Sequence, residues 1–180
     1  MSRSDGDPSP AVPDFERRVP PGDSVVRDVC ARCGFVAYEN PKIVVGSVVR
    51  VGEKVLLCRR AIEPSHGLWT LPAGFMELGE TPEGGARREA REEALAEIEI
   101  RDLLAVYTIP RISQVQLIYR AGLSGGFAPG EESLEVALFA PDEIPWAELA
   151  FASVHWALTQ EARWHAGEAT GPFVNPPEGL

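Results

Sequence analysis

Cysteine is scarce in this chain of 180 residues: Cys30, Cys33 and Cys58 are the only three, too few and too unevenly spread for a disulfide framework. No apolar run approaches the roughly 18 residues of a membrane-spanning helix. The first residues are rich in Ser, Asp and Pro and lack an apolar signal core, so the default expectation is a cytoplasmic location, away from membranes. Basic residues are outnumbered, 17 Lys and Arg against 27 Asp and Glu, a formal net charge of −10. That balance argues against a general nucleic-acid or anionic-membrane binder. A polyanionic nucleotide substrate stays open, because a bound metal ion reverses the local field. There is no internal repeat. The apolar content of 44% suffices for a sizeable core, and the length favours one main domain with extensions.

Acidic residues are abundant, and one stretch concentrates them. Gly74-Phe75-Met76-Glu77-Leu78-Gly79-Glu80 reads as a glycine loop feeding a helix over Pro82–Ala94. Thr81 suits an N-cap, and Pro82 suits the first helical position, where no N–H is needed. At about 100° per residue, Glu89 and Glu93 lie about 40° apart, with Glu92 beside them. Like charges at this spacing cost roughly 0.2–0.5 kcal/mol per pair. A hard divalent cation, which prefers carboxylate oxygens, is the natural partner. The competing reading is a solvated Glu/Arg face. Ala86, Ala90 and Ala94 form a small-residue stripe that lets the helix approach a sheet closely.

The spacing decides between these readings. Gly74, Glu80 and then Arg88-Glu89-Ala90-Arg91-Glu92-Glu93, preceded by Leu68-Trp69-Thr70-Leu71-Pro72-Ala73, resembles the Nudix box and its lead-in. The resemblance runs from about Val29 to Phe151. It is closest to bacterial and plastid Nudix hydrolases with a zinc-ribbon-like N-terminal segment, described as acting on ADP-ribose, FAD or related dinucleotides. It implies an α/β/α sandwich with a mixed sheet. It also implies Mg²⁺ or Mn²⁺ held by Glu89, Glu92 and Glu93 with the backbone near Gly74, and Arg88 holding the glutamates in place. Glu80 is expected to position neighbours, and the general base to come from the helix, Glu92 included, or from a later loop, where Glu132 and Glu135 lie. One residue departs from the pattern: Leu95 stands where the box has a glycine. Glycine there ends the helix in a left-handed turn, which costs leucine roughly 1–2 kcal/mol, so a different helix end is expected.

The remaining chain fits this frame. Residues 1–13 are expected to be a disordered tail, 14–40 a ribbon-like segment, 41–166 the main domain and 167–180 a C-terminal tail. Ile43–Arg50 and Lys54–Arg60 read as a hairpin, with Cys58 a small buried hydrophobe. Further strands are expected in 97–110, 114–122 and 134–140, a helical turn at Pro141–Trp146 and an amphipathic helix over Phe151–His165. Cys30-Ala31-Arg32-Cys33 resembles a zinc knuckle, but two sulfurs make half of a tetrahedral set, so a retained turn without its metal is preferred to a structural zinc site. No thioredoxin-like unit surrounds the pair, so a redox motif ranks lower still. A homodimer is compatible with the sequence, and half a zinc per chain would point to a site shared across one.

The implied reaction is hydrolysis of the pyrophosphate in a nucleoside diphosphate linked to another group, with ADP-ribose and FAD the leading substrates, NADH behind, and AMP released. Arg111, between two strands, could pair with a phosphate or equally be an exposed loop arginine. Tyr107, Phe75 and Phe127 could stack a base, although such residues are more often core, and His66 reads as structural or solvated. Two readings come from other classes. A non-catalytic nucleotide-sensing domain is disfavoured by the full set Arg88, Glu89, Glu92 and Glu93, and a zinc-ribbon interaction module by the missing second cysteine pair.

Overall fold

The computed structural model describes residues 14–177; the tail expected over 1–13 lies outside them. The chain forms two compact units, divided after Asn40. In the first, strands β1 (Phe15–Arg18), β2 (Arg27–Cys30) and β3 (Val36–Ala37) make an antiparallel sheet in that order.

The second unit comprises β4 (Lys42–Val51), β5 (Lys54–Arg60), β6 (Trp69–Thr70), β7 (Ala73–Phe75), α1 (Pro82–Ala94), β8 (Ile98–Ile109), β9 (Gln114–Leu123), β10 (Ser133–Phe139) and α2 (Ala152–His165). The sheet runs β10-β5-β4-β9-β8, with β6 added to β5 and β7 to β4. It is mixed, since β4 and β9 are parallel while the other pairs are antiparallel.

The strands β4 and β5 are apolar on both faces because each face carries a helix. Side-chain alternation sends Val45, Val49, Leu56 and Cys58 toward α1, and Val48, Val55 and Leu57 toward α2. Ala86, Ala90 and Ala94 have no exposed surface, so the small-residue stripe seats α1 directly on the sheet. This is the expected α/β/α sandwich. Among the described residues no helix is long and apolar enough to cross a membrane.

Four local features depart from expectation. The residues read as a glycine loop begin with the strand β7, whose Gly74 lies opposite Val45 on β4. Leu95 adopts the left-handed conformation, φ 45° and ψ 32°, despite its side chain. The Ala96 N–H reaches back to the Ala90 carbonyl (3.1 Å), so the helix end has the hydrogen bonding of a Schellman turn without its glycine. The late helical turn spans Trp146–Glu148 rather than Pro141–Trp146. The segment expected as a C-terminal tail is tied to the domain over part of its length. Phe173 exchanges backbone hydrogen bonds with β8, donating to Leu104 (2.8 Å) and accepting from Val106 (2.9 Å), and Asn175 brackets Thr108 through both of its amide atoms. The Phe173 ring meets Trp164 edge-on, 6.1 Å between centroids, which gives an apolar reason for the anchoring.

Candidate active site

β4 and β5 pair only beside their turn, Arg50 with Val55 and Val51 with Lys54; beyond it they diverge, and β7 and β6 occupy the two sides of the split. The divergence opens a cleft of about 1920 Å³. One wall is α1, with Glu89, Glu92 and Glu93; others are Gly74 and Phe75 of β7, Arg111 and Ile112 after β8, Glu131 and Glu132 before β10, and Phe151 and Trp156 of the α2 region.

The local chemistry of α1 explains its placement. The Thr81 hydroxyl accepts from Gly84 N–H (3.1 Å), and Pro82 occupies the first helical position. Glu89 lies against Gly74 so closely that a Cβ there would overlap its carboxylate. A side chain at 74 would push the Glu89 carboxylate aside, so glycine lets the helix carboxylate and β7 approach this closely. Glu93 accepts from the Ala73 N–H (2.9 Å), which ties the helix to β7.

Arg88 is the hub. Its guanidinium donates to both oxygens of Glu80 (2.6 and 3.0 Å), to Glu89 (2.7 Å), to Glu92 (2.8 Å) and to the Phe75 carbonyl (2.9 Å). Glu80 also accepts from Glu77 N–H; hydrogen bonds from Arg88 and Glu77 hold its carboxyl down at about 2. Glu80 therefore fixes Arg88, and Arg88 orients the carboxylates behind it.

The helix carboxylates are electrostatically unequal. Glu89 and Glu93 are 7% and 6% exposed, whereas the Glu92 side chain is 56% exposed. Burial is the largest influence on Glu93, whose pKa rises to about 8 although the Ala73 N–H opposes the shift; Glu89 and Glu132 add repulsion. Burial likewise raises Glu89, against the pull of Arg88. A pair of buried carboxylates with raised pKa beside Glu92 and Glu132 is a donor set with excess negative charge, which suits a hard divalent cation. Among the described residues no three carboxylate, histidine or cysteine side chains already converge on one point, since Arg88 draws Glu89 and Glu92 to itself.

The later acidic residues separate. The Gly125–Glu132 loop crosses the end of α1, where Ala128 N–H donates to the Ala94 carbonyl (2.9 Å) and Gly130 N–H to the Glu93 carbonyl (3.0 Å). A Cβ at Gly130 would collide with the Glu92 carbonyl. This close crossing delivers Glu132 to the cleft, near enough to Glu89 and Glu93 to raise both. Glu135, offered from the sequence as a base, is not in the cleft wall; it faces Arg59 (3.8 Å) on the strand edge beyond a register shift between Ser133 and Glu135.

Arg111 reaches the cleft from the Pro110–Ile112 turn, and Phe75 lines it, half exposed, beneath Lys42 (5.2 Å). Tyr107 does not; it is fully buried, and its hydroxyl donates to Gln160. Phe127 packs on the α1 side of the core, and His66 is exposed outside the cleft. Sequence reasoning missed Arg60. It closes β5 on the cleft, lowers the Glu93 pKa by its charge, donates to the Pro64 carbonyl (2.8 Å) and stacks over Phe151 (5.3 Å). No local pattern marks it, because its importance comes from the strand divergence.

The NUDIX domain family model matches residues 40–162, and a zinc-ribbon model described as Nudix N-terminal matches residues 13–39. A solved NUDIX hydrolase from Nitrosomonas europaea is 47% identical with a TM-score of 0.84, over 93% of this chain and 97% of that one. A MutT-like protein from Streptomyces ambofaciens is 40% identical over 102 residues, 56% of this chain and 64% of the relative's length. An ADP-ribose pyrophosphatase from Methanocaldococcus jannaschii is 31% identical over 119 residues, 63% of this chain and 69% of its own. The chain belongs to the Nudix hydrolase family. Its first unit matches the N-terminal segment that some members carry ahead of the Nudix domain.

Proposed function

We propose that this protein hydrolyses the pyrophosphate of an adenosine diphosphate linked to a second group, with ADP-ribose the leading substrate and FAD next, releasing AMP. The observation that carries the reading is the buried pair Glu89 and Glu93, facing a cleft that also holds cationic and aromatic side chains. The similarity to an ADP-ribose pyrophosphatase supports the substrate class. Glu89, Glu93 and Glu92, with the backbone at Gly74, would hold Mg²⁺ or Mn²⁺. A divalent ion there supplies positive charge against the two phosphates and acidifies water.

The chain's own residues do the rest. Arg88 is spent on Glu80, Glu89, Glu92 and Phe75, so Arg60 and Arg111 are the arginines left in the wall to meet phosphate oxygens. Phe75, Phe151 and Trp156 offer apolar surface to an adenine ring. Glu132, exposed on its loop and close to the acidic pair, is the proton acceptor for the attacking water, in preference to Glu135.

The test is incubation of the purified full chain with ADP-ribose, FAD, NADH and a nucleoside triphosphate, with Mg²⁺ or Mn²⁺, and identification of products by mass. AMP plus ribose 5-phosphate from ADP-ribose is the expected result. Undiminished turnover in excess EDTA, or no dinucleotide cleaved with metal present, refutes the proposal.

A further inference from the structure

The family implies a zinc ion in the N-terminal segment, and the residues do not fit one. A structural zinc takes four nitrogen or sulfur ligands. Residues 1–40 contain two cysteines, Cys30 and Cys33, and no histidine, half of a tetrahedral sulfur or nitrogen set. The segment is held by other means. Asp23 accepts from Ser24 N–H (2.6 Å), Val25 N–H (3.0 Å) and Arg27 Nε (3.1 Å), closing the β1–β2 connection. The Arg27 guanidinium lies over Tyr38 (5.3 Å), and Val29 is buried.

The two cysteines nevertheless share one turn. Cys30 N–H donates to the Phe35 carbonyl (2.8 Å), and the Cys30 carbonyl accepts from Gly34 N–H (2.9 Å), which folds residues 30–34 into one tight turn. That turn holds residues 30 and 33 close along the backbone, with the N–H groups of Cys33 and Arg32 and the Cys33 thiol acting on the Cys30 thiol. Such amides favour a thiolate, and they hold the Cys30 thiol below its ordinary range. Cys30 is buried and Cys33 exposed, so one sulfur is open to attack a reagent and the other is shielded behind it. A dithiol needs juxtaposition and an activated sulfur to close, and a thioredoxin fold is one way among others to supply them.

We infer that Cys30 and Cys33 form a redox-sensitive dithiol that closes to an intrachain disulfide by exchange with low-molecular-weight disulfides, a covalent link where relatives would place a metal. The Cys33 thiolate attacks one sulfur of the small disulfide, whose S–S bond breaks and releases one thiolate. The Cys30 thiolate then attacks the Cys33 sulfur and expels the second. Two protein thiols lose two electrons and two protons, and the small disulfide becomes two thiols. Cys58 takes no part, because it is buried and its thiol is pushed up by that burial and by Glu93.

The test equilibrates the full chain in reduced and oxidised glutathione buffers, quenches with acid, alkylates and weighs the peptides. The peptide with Cys30 and Cys33 should pass in one transition, which a reductant reverses, from a doubly alkylated form to an unalkylated form two hydrogens lighter than the free dithiol, with Cys58 still alkylated. In Cys30→Ser, glutathione should instead stay attached to Cys33. A lasting glutathione adduct on wild-type Cys33, or both thiols still reduced in the most oxidising buffer, overturns the inference. So does metal analysis finding one zinc per chain, or one per two chains, after zinc addition and desalting.

Discussion

Replacing Glu93 with glutamine separates the charge of this side chain from its shape. The amide oxygen keeps an acceptor for the Ala73 N–H, so the tie between α1 and β7 survives. The negative charge does not. Folding raises the Glu93 pKa from 4.5 to about 8. The folded state therefore binds more protons than the unfolded chain between those values, and metal-free stability falls as pH rises through that window. At about 1.4 kcal/mol per pH unit, the full displacement corresponds to roughly 5 kcal/mol. Water entering the open cleft screens part of this, leaving on the order of 2–3 kcal/mol. For a chain of this size that is roughly 5–10 °C in melting temperature. In EDTA, Glu93→Gln should match wild type near pH 5 and melt higher by that amount above pH 8; the difference between the two melting curves isolates this side chain. With saturating Mg²⁺ the wild-type disadvantage should disappear, because the cation favours the ionised carboxylate. Turnover of ADP-ribose should fall at least about 100-fold in the variant. Parallel melting curves for the two proteins across pH 5–9 would refute the burial argument. Near-wild-type turnover by a well-folded variant would refute the metal-ligand role.

Leu95 carries a left-handed backbone and is 55% exposed, so Leu95→Gly should stabilise by about 1 kcal/mol in chemical denaturation, without affecting turnover; a loss of stability counts against strain at this helix end. Glu132→Gln should cut kcat about 100-fold or more at saturating metal, whereas Glu135→Gln should stay within a few-fold of wild type; the reverse order would return the proton acceptor to the strand edge. Gly130→Ala places a Cβ against the Glu92 carbonyl. It should cost roughly 1–3 kcal/mol by denaturation and lower kcat by moving Glu132, and an unperturbed variant would show that the loop crossing does not position the acid.

Much of this protein follows from short-range pattern. The α1 helix was legible from Thr81 through Ala94 because Thr81, Pro82 and the alanine stripe act within a few residues of themselves. The strands β4, β5, β8, β9 and β10 were legible from their apolar runs, although the runs could not say which face met which helix. The clustering of Glu89, Glu92 and Glu93 is a property of helical pitch, so sequence spacing alone brings them together. The turn at Leu95 was not legible in the same way. A local cost of about 1–2 kcal/mol argued for a different helix end, but hydrogen bonds at the terminus and an exposed side chain let leucine take the glycine conformation.

Tertiary structure decided what sequence distance conceals. Glu132 and Glu135 are three residues apart and looked equivalent; a loop hydrogen-bonded to the last carbonyls of α1 brings the first to the cleft, and a register shift leaves the second on the strand edge. Arg60 is an unremarkable strand residue until β4 and β5 diverge and place it beside Glu93. Phe173 and Asn175 carry no helix or strand pattern, yet pair with β8 and Trp164. Helix caps, pitch and alternation are set by neighbours along the chain. Contacts between segments far apart in sequence depend on how the sheet splits and how closely a loop can cross a helix, and neither is a property of any one stretch.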